Sequence, residues 1–183
     1  MYEVEVKARL NNREEVTKKL ESLGCKFSEE LHQVDQVFFP KGFSFPPPIG
    51  TQILRVRKSN DKYFLTLKIS QSSRQDSIER EMEINDGEMM IEIIKLLEWQ
   101  NAPTVDKKRI KTNFNDIEIV LDTVKELGEF VEAEKIVTHV DKEDRKKIQD
   151  ELMNFLVGLG VKKEDQVIDG KYDIMLYEKF EMK

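Results

Sequence analysis

The chain has 183 residues, a single cysteine (Cys25), 39% hydrophobic and 36% charged residues, and a net charge of −6. That length and hydrophobic content suit one domain spanning 1–183 with a real core, and they exclude a disordered chain. The acidic balance excludes a general nucleic-acid binder, the lone cysteine excludes an internal disulfide, and no apolar run approaches the roughly 18 residues of a membrane helix. With no leader pattern ahead of the first strand, the expectation is a soluble cytoplasmic protein.

Taken in order, the chain reads as strands with a few helices. Tyr2 to Arg9 alternates strictly, with Tyr2, Val4, Val6 and Ala8 on one face and Glu3, Glu5, Lys7 and Arg9 on the other, which is a strand. Asn12 caps a helix to about Leu23 with Val16, Leu20 and Leu23 as its stripe, and Gly24 stops it. Strands follow at Gln33 to Phe39, Gln52 to Lys58, Tyr63 to Ile69 and Ser77 to Ile84. Pro46, Pro47 and Pro48 make 40–50 a loop, and Gln71 to Asp76 is a polar loop. Asp86 to about Trp99 is a helix with Met90, Ile93, Ile94 and Leu97 on one face. Strands at Val105 to Thr112, Ile117 to Thr123 and Glu129 to Thr138 come next. A long helix capped by Asp141 runs to about Leu159, and a short segment, Lys171 to Tyr177, closes the chain. The strand count is eight, enough to close an antiparallel barrel around one small ligand.

The charges on these strands are ordered by sign. Glu3 and Glu5 share a face, as do Arg55 and Arg57; Glu79, Glu81 and Glu83; Lys107, Arg109 and Lys111; Glu118 and Asp122; and Glu132 and Glu134. A solvated face is the usual meaning of such alternation. Like charges about 7 Å apart, however, repel by about 2.4 kcal/mol at an effective dielectric of about 20. A ligand demanding both signs, such as a polyphosphate carrying a divalent metal, explains the accumulation: Arg and Lys meet its oxygens and carboxylates hold the cation. Amphipathic helices would then cover an apolar exterior while the charges point inward. His32, His139 and Cys25 are not at ligand spacing, which disfavours common zinc sites and leaves a hard metal on oxygen ligands. Both histidines read as structural or exposed, and Trp99 as core. There is no phosphate-binding GxxxxGK loop and no GxSxG nucleophile turn.

Glu3-Val4-Glu5-Val6-Lys7 resembles the opening motif of CYTH proteins, also called triphosphate tunnel metalloenzymes. Leu54-Arg55-Val56-Arg57, Leu65-Thr66-Leu67-Lys68, Lys107-Lys108-Arg109 and Leu121-Asp122 followed by Leu127-Gly128-Glu129-Phe130-Val131-Glu132-Ala133-Glu134 resemble the family's later elements in the same order. The resemblance implies an α+β fold: a closed eight-stranded antiparallel tunnel with a charged interior and helices packed outside. It also implies Mg²⁺- or Mn²⁺-dependent chemistry on triphosphates, in a family of inorganic, thiamine and RNA triphosphatases and class IV adenylyl cyclases. By carry-over, Glu3, Glu5, Glu132 and Glu134 would bind metal, with Asp122 beside them and Glu81 as an addition whose register is ambiguous. Lys7, Arg55, Arg57, Lys68 and Arg109, with Lys107 of the Lys-x-Arg element, would hold the triphosphate and serve the reaction. Lys171 either reaches the triphosphate or is a solvated lysine of the tail. The class IV cyclases share a His-Phe pair ahead of the first motif, and none stands ahead of Glu3. That favours hydrolysis of inorganic or thiamine triphosphate over cyclisation of ATP, with a non-catalytic polyphosphate or nucleotide binder as a further alternative. Phe43 and Phe45 could stack on a base, or belong to a packed connecting loop. A homodimer stays open.

Overall fold

Alternation gives Val4, Val6 and Ala8 one face of a strand and Glu3, Glu5 and Lys7 the other, so the sheet needs one apolar and one polar surround. The computed structural model, which describes residues 2–138, 141–168 and 170–181, meets that need by closing the sheet on itself. The elements are β1 (Tyr2–Arg9), α1 (Arg13–Ser22), β2 (Leu31–Phe39), β3 (Gln52–Ser59), β4 (Lys62–Ser73), β5 (Asp76–Ile84), α2 (Gly87–Leu96), β6 (Gln100–Asn101), β7 (Val105–Phe114), β8 (Ile117–Val124), β9 (Gly128–Val137), α3 (Lys142–Gly158), a 3₁₀ turn (Lys163–Asp165) and α4 (Tyr172–Glu181). The strand order is β3-β4-β5-β1-β9-β8-β7-β2-β6, and pairing of β3 with β2 closes a ring of eight antiparallel strands. The shortest seam of the ring is β1–β5, where Glu3 pairs with Ser77 and Val4 with Asp76.

The apolar faces point outward and the helices cover them. Val6 and Ala8 of β1, Ile119 and Leu121 of β8, and Val131 and Ala133 of β9 form one cluster with Val16 and Leu20 of α1 and Leu152, Met153 and Leu156 of α3. Burying each such Val or Leu side chain contributes about 1.5–3 kcal/mol. On another flank Ile91 and Ile94 of α2 pack against Phe38 and Val56, with Leu54 and Leu65 partly buried beside them. Asn12, Asp86 and Asp141 act as N-caps, accepting from the backbone N–H of Glu15, Met89 and Asp144.

Four features differ from the sequence reading. The closing segment is a helix, α4, whose Tyr172 and Leu176 pack on Val105, Val124 and Phe130. Those three residues share the inner faces of their strands, so α4 caps one end of the ring. A ninth, two-residue strand, β6, pairs with Phe38 and Phe39 of β2. Strand β4 continues through Ser73 into the expected loop, with a shift of register between Ser70 and Ser73. Finally, α2 buries Ile91 and Ile94 and exposes Ile93 and Leu97. Glu88, Glu92 and Lys95 form a charged stripe on this helix, and the apolar arc opposite is wider than the part that docks, so periodicity marked the arc but not which residues within it are buried. Trp99 is half-buried beside Ile94, and His139 lies outside the described residues. No described helix is long and apolar enough to cross a membrane.

Candidate active site: a charged tunnel

With the apolar faces turned out, the charged faces enclose a cavity of about 320 Å³ lined by nine basic and nine acidic side chains. Three groups of these side chains are distinct.

The first is carboxylate. The β1–β9 register sets Glu5 opposite Glu134, and Glu3 follows two residues along the same face of β1. Glu3, Glu5 and Glu134 each offer an oxygen, and these atoms lie within 4.8 Å of one another. Burial, together with Glu3 and Glu5, pushes the Glu134 carboxyl up to about 9. Burial also raises Glu3, against the pull of Lys68. Glu5 moves the other way: burial opposes ionisation, but Lys171, Lys68 and Lys7 outweigh it. Lys171 Nζ donates to Glu5 Oε1 at 2.8 Å. The group thus carries more negative charge than its neighbours neutralise and retains a proton instead. Such an oxygen-only cluster fits a hard divalent cation.

The second group lies deeper, toward α4. Lys7 pairs with Glu132 at 3.1 Å. Arg109 donates to both oxygens of Asp122, at 2.7 and 2.5 Å, and to Glu132 at 3.0 Å. The Tyr172 hydroxyl donates to Asp122 at 3.0 Å, and Lys7 Nζ sits 3.9 Å from the centroid of the same ring. Burial disfavours the Arg109 charge, yet Asp122 and Glu132 hold its pKa well above the usual value. Glu132 is held well below its usual value by Lys7 and Arg109, again against burial. Asp122 is therefore fully enclosed under Arg109, apart from the three-carboxylate cluster, and Glu132 belongs to the Lys7–Arg109 network.

The third group is on the opposite wall. Arg55 Nη2 donates to Glu81 at 3.2 Å and to Thr66 Oγ1 at 3.1 Å, and Lys68 pairs with Glu79. Burial opposes both cations, but Asp35 and Glu79 raise Arg55, and Glu5 and Glu79 raise Lys68. Arg57 makes a bidentate pair with Asp35 at 2.6 and 2.8 Å, and Lys107 Nζ reaches Asp35 Oδ2 at 3.3 Å. Burial and the nearby Arg109 push the Lys107 amine down to about 7. Glu81 thus stands on the Arg55 side of the cavity.

Every basic residue singled out in the sequence lines this cavity: Lys7, Arg55, Arg57, Lys68, Lys107, Arg109 and Lys171. Sequence reasoning passed over Asp35 and gave Glu79 and Tyr172 no role in the site. Asp35 is the lone charge on the inner face of β2, so no repeated sign marked it. Glu79 was seen on its strand, but the register could not choose between it and Glu81. Phe45 and Pro47 line the mouth, where Phe45 packs on Phe39 and Tyr177 at centroid distances of 5.4 and 5.1 Å; Phe43 is exposed. His32 is exposed outside the ring, against Asp106 at 2.7 Å.

The sequence profile of the CYTH domain matches residues 1–170. A protein of Methanocaldococcus jannaschii, named as a candidate adenylate cyclase, is 31% identical over 94% of this chain and 97% of its own length. Two solved structures of Pyrococcus horikoshii proteins are also similar. One is 33% identical with a TM-score of 0.76, covering 95% of this chain and 98% of that one. The other is 26% identical with a TM-score of 0.80, covering 97% and 99%. The chain belongs to the CYTH family, whose triphosphate tunnel enzymes generally depend on a divalent metal.

Proposed function

We propose that this chain is a divalent-metal-dependent triphosphatase that hydrolyses inorganic triphosphate, or an organic triphosphate such as thiamine triphosphate, inside the tunnel. The observation that carries the reading is convergence: Lys7, Arg55, Arg57, Lys68 and Arg109 face one cavity together with the Glu3–Glu5–Glu134 cluster. Phosphoryl transfer needs charge neutralisation and in-line positioning more than covalent help from the protein. Arg55 and Lys68 on one wall and Lys7 and Arg109 on the other can hold phosphate oxygens from two sides, which fixes the chain of phosphates along the tunnel. Lys171, released from Glu5, would add a further cation from the α4 end. Glu3, Glu5 and Glu134 would hold Mg²⁺ or Mn²⁺, with Glu132, Asp122 and Glu81 steadying the surrounding cations. When bound, the ion supplies further neutralisation of phosphate oxygens.

Two observations favour a ligand making little demand through its organic part. The cavity lies near the lower end of the roughly 300–1,000 Å³ typical of small-molecule sites. Among the described lining residues the neutral polar side chains are Ser70 and Tyr172, and the Tyr172 hydroxyl is committed to Asp122. Reading a purine edge needs placed hydrogen-bonding partners, whose loss with the wrong ligand supplies discrimination.

A second reading, cyclisation of ATP to cyclic AMP and pyrophosphate, draws on the apolar section of the wall. Val37, Phe45, Pro47 and Ile53 there offer a surface a bare triphosphate would leave unused. One panel decides between them: tripolyphosphate, thiamine triphosphate and ATP, each with Mg²⁺ and Mn²⁺, assayed for orthophosphate and cyclic AMP. We expect phosphate release from tripolyphosphate or thiamine triphosphate to exceed cyclic AMP formation. Steady cyclic AMP with no phosphate from either would reverse the assignment.

A further inference from the structure

Strand β2 lies between β3 and β7 in the ring, and its inner face carries Gln33, Asp35 and Val37. Asp35 stands directly opposite Arg57 across one seam. Across the other it is diagonal to Lys107, which pairs with Gln33. Both Asp35 oxygens are used: Arg57 Nε and Nη2 take one each at 2.6 and 2.8 Å, and Lys107 shares Oδ2 at 3.3 Å. The carboxylate is 4% exposed and stands apart from the three clustered carboxylates. Negative charge inside an anion site weakens the pull on a polyphosphate, so it calls for another role. Without it, the cationic forms of Arg57 and Lys107 would repel each other across β2 with no counter-charge between them.

We propose that Asp35 is a positioning residue of the polyphosphate cradle, tying Arg57 and Lys107 across the β3–β2–β7 seam into one two-cation clamp. This rests on the triphosphate reading of the tunnel. Asp35 holds the guanidinium plane edge-on through a bidentate fork, which leaves the remaining N–H groups of Arg57 and the Lys107 amine free to face the ligand; a bound polyphosphate would restore to Lys107 the charge that burial and Arg109 otherwise disfavour. Its own charge is secure: burial opposes ionisation, but Arg57 and Lys107 hold it well below the usual carboxylate range.

The near-isosteric Asp35→Asn change separates positioning from a counter-ion role. A mere counter-ion, once neutralised, adds net positive charge to the site, so KM falls and kcat is kept. A positioning residue predicts that kcat falls by about tenfold or more, because a misplaced clamp spoils in-line alignment, while KM stays level or drops. Unchanged kcat overturns the proposal whatever KM does. A crystal structure of the wild-type protein with tripolyphosphate gives a second answer that needs no variant to fold. Asp35 should keep its bonds to Arg57 and Lys107 while both cations contact phosphate oxygens; parting from both overturns the proposal. Wild-type protein that turns over none of the three triphosphates would sink the triphosphatase reading instead, and the bound structure would still decide the role of Asp35.

Discussion

At the scale of single residues, the tunnel is governed by groups whose ordinary ionisation is overridden. Glu134 is held protonated up to about 9, first by burial and then by Glu3 and Glu5, so glutamine imitates its resting state. Glu134→Gln should therefore leave the metal-free protein at neutral pH within about 0.5 kcal/mol of wild type. Yet it should abolish the stabilisation by Mg²⁺ or Mn²⁺, which in wild type reaches about 2.7 kcal/mol at a metal concentration a hundredfold above Kd. Thermal unfolding with metal and with EDTA reads both effects, and a full metal shift in the variant would remove Glu134 from the site. Lys107 makes the opposite kind of prediction. It faces Asp35 from β2, Arg57 from β3, Arg109 on its own strand, Asp122 from β8, Glu132 from β9 and the Tyr172 ring from α4. Burial and Arg109 lower its pKa from 10.5 to about 7. Between those values the unfolded chain holds a proton that the folded chain lacks, so this residue makes stability rise as pH climbs from about 7 toward 10.5. Lys107→Met should gain roughly a few kcal/mol at pH 7 and lose that slope, as urea titrations of both proteins at pH 7 and 9 would reveal. An identical pH dependence in the two proteins would show that Lys107 stays charged.

At the scale of elements, the eight long strands were legible because they alternate, β1 strictly and the others in large part, between turn or loop signals, and three helices because Asn12, Asp86 and Asp141 announce them. What stayed hidden was set by tertiary contact. Strand β6 has two residues and exists only because Phe38 and Phe39 offer it a partner. Helix α4 has a weak apolar stripe, and its packing on Val105, Val124 and Phe130 depends on a ring end that no local pattern describes. The clustered signs foretold a charged interior, but the identity of the meeting pairs needed register. Glu134 meets Glu5 because β1 and β9 align them, and Asp35 could not be told from any lone acid in a strand. Helix α2 also shows how a sequence detail fixes docking. A Cβ at Gly87, in its first turn, would overlap the ring of Tyr63 on β4. Gly87→Ala should cost about 1–3 kcal/mol through this overpacking, measured by urea denaturation, and a Tyr63→Leu background should return most of it. A neutral Gly87→Ala effect would mean that the α2–β4 contact gives way easily.

At the scale of the whole molecule, the balance of charge carries a consequence for binding order. The lining has as many basic as acidic side chains, and most are already paired with one another, so the tunnel has no surplus of positive charge waiting for an anion. The chain as a whole carries −6, so the exterior adds no attraction for a polyphosphate. A site built this way should hold a triphosphate weakly unless a divalent cation neutralises Glu3, Glu5 and Glu134 first or arrives with it. Metal and triphosphate should then strengthen each other by the same factor, since coupling of two binding equilibria is reciprocal. We expect about a tenfold or greater gain in affinity for a non-hydrolysable triphosphate analogue when EDTA is replaced by saturating Mn²⁺, within the usual range of such couplings. Calorimetry should return the same factor for Mn²⁺ with and without the analogue, after correction for their complex in free solution. Equal affinity in EDTA and in Mn²⁺ would mean that the cations alone suffice. In that case Lys7, Arg55, Lys68 and Arg109 would have to leave their carboxylate partners on binding without help from the ion, and the carboxylate cluster would need a different explanation.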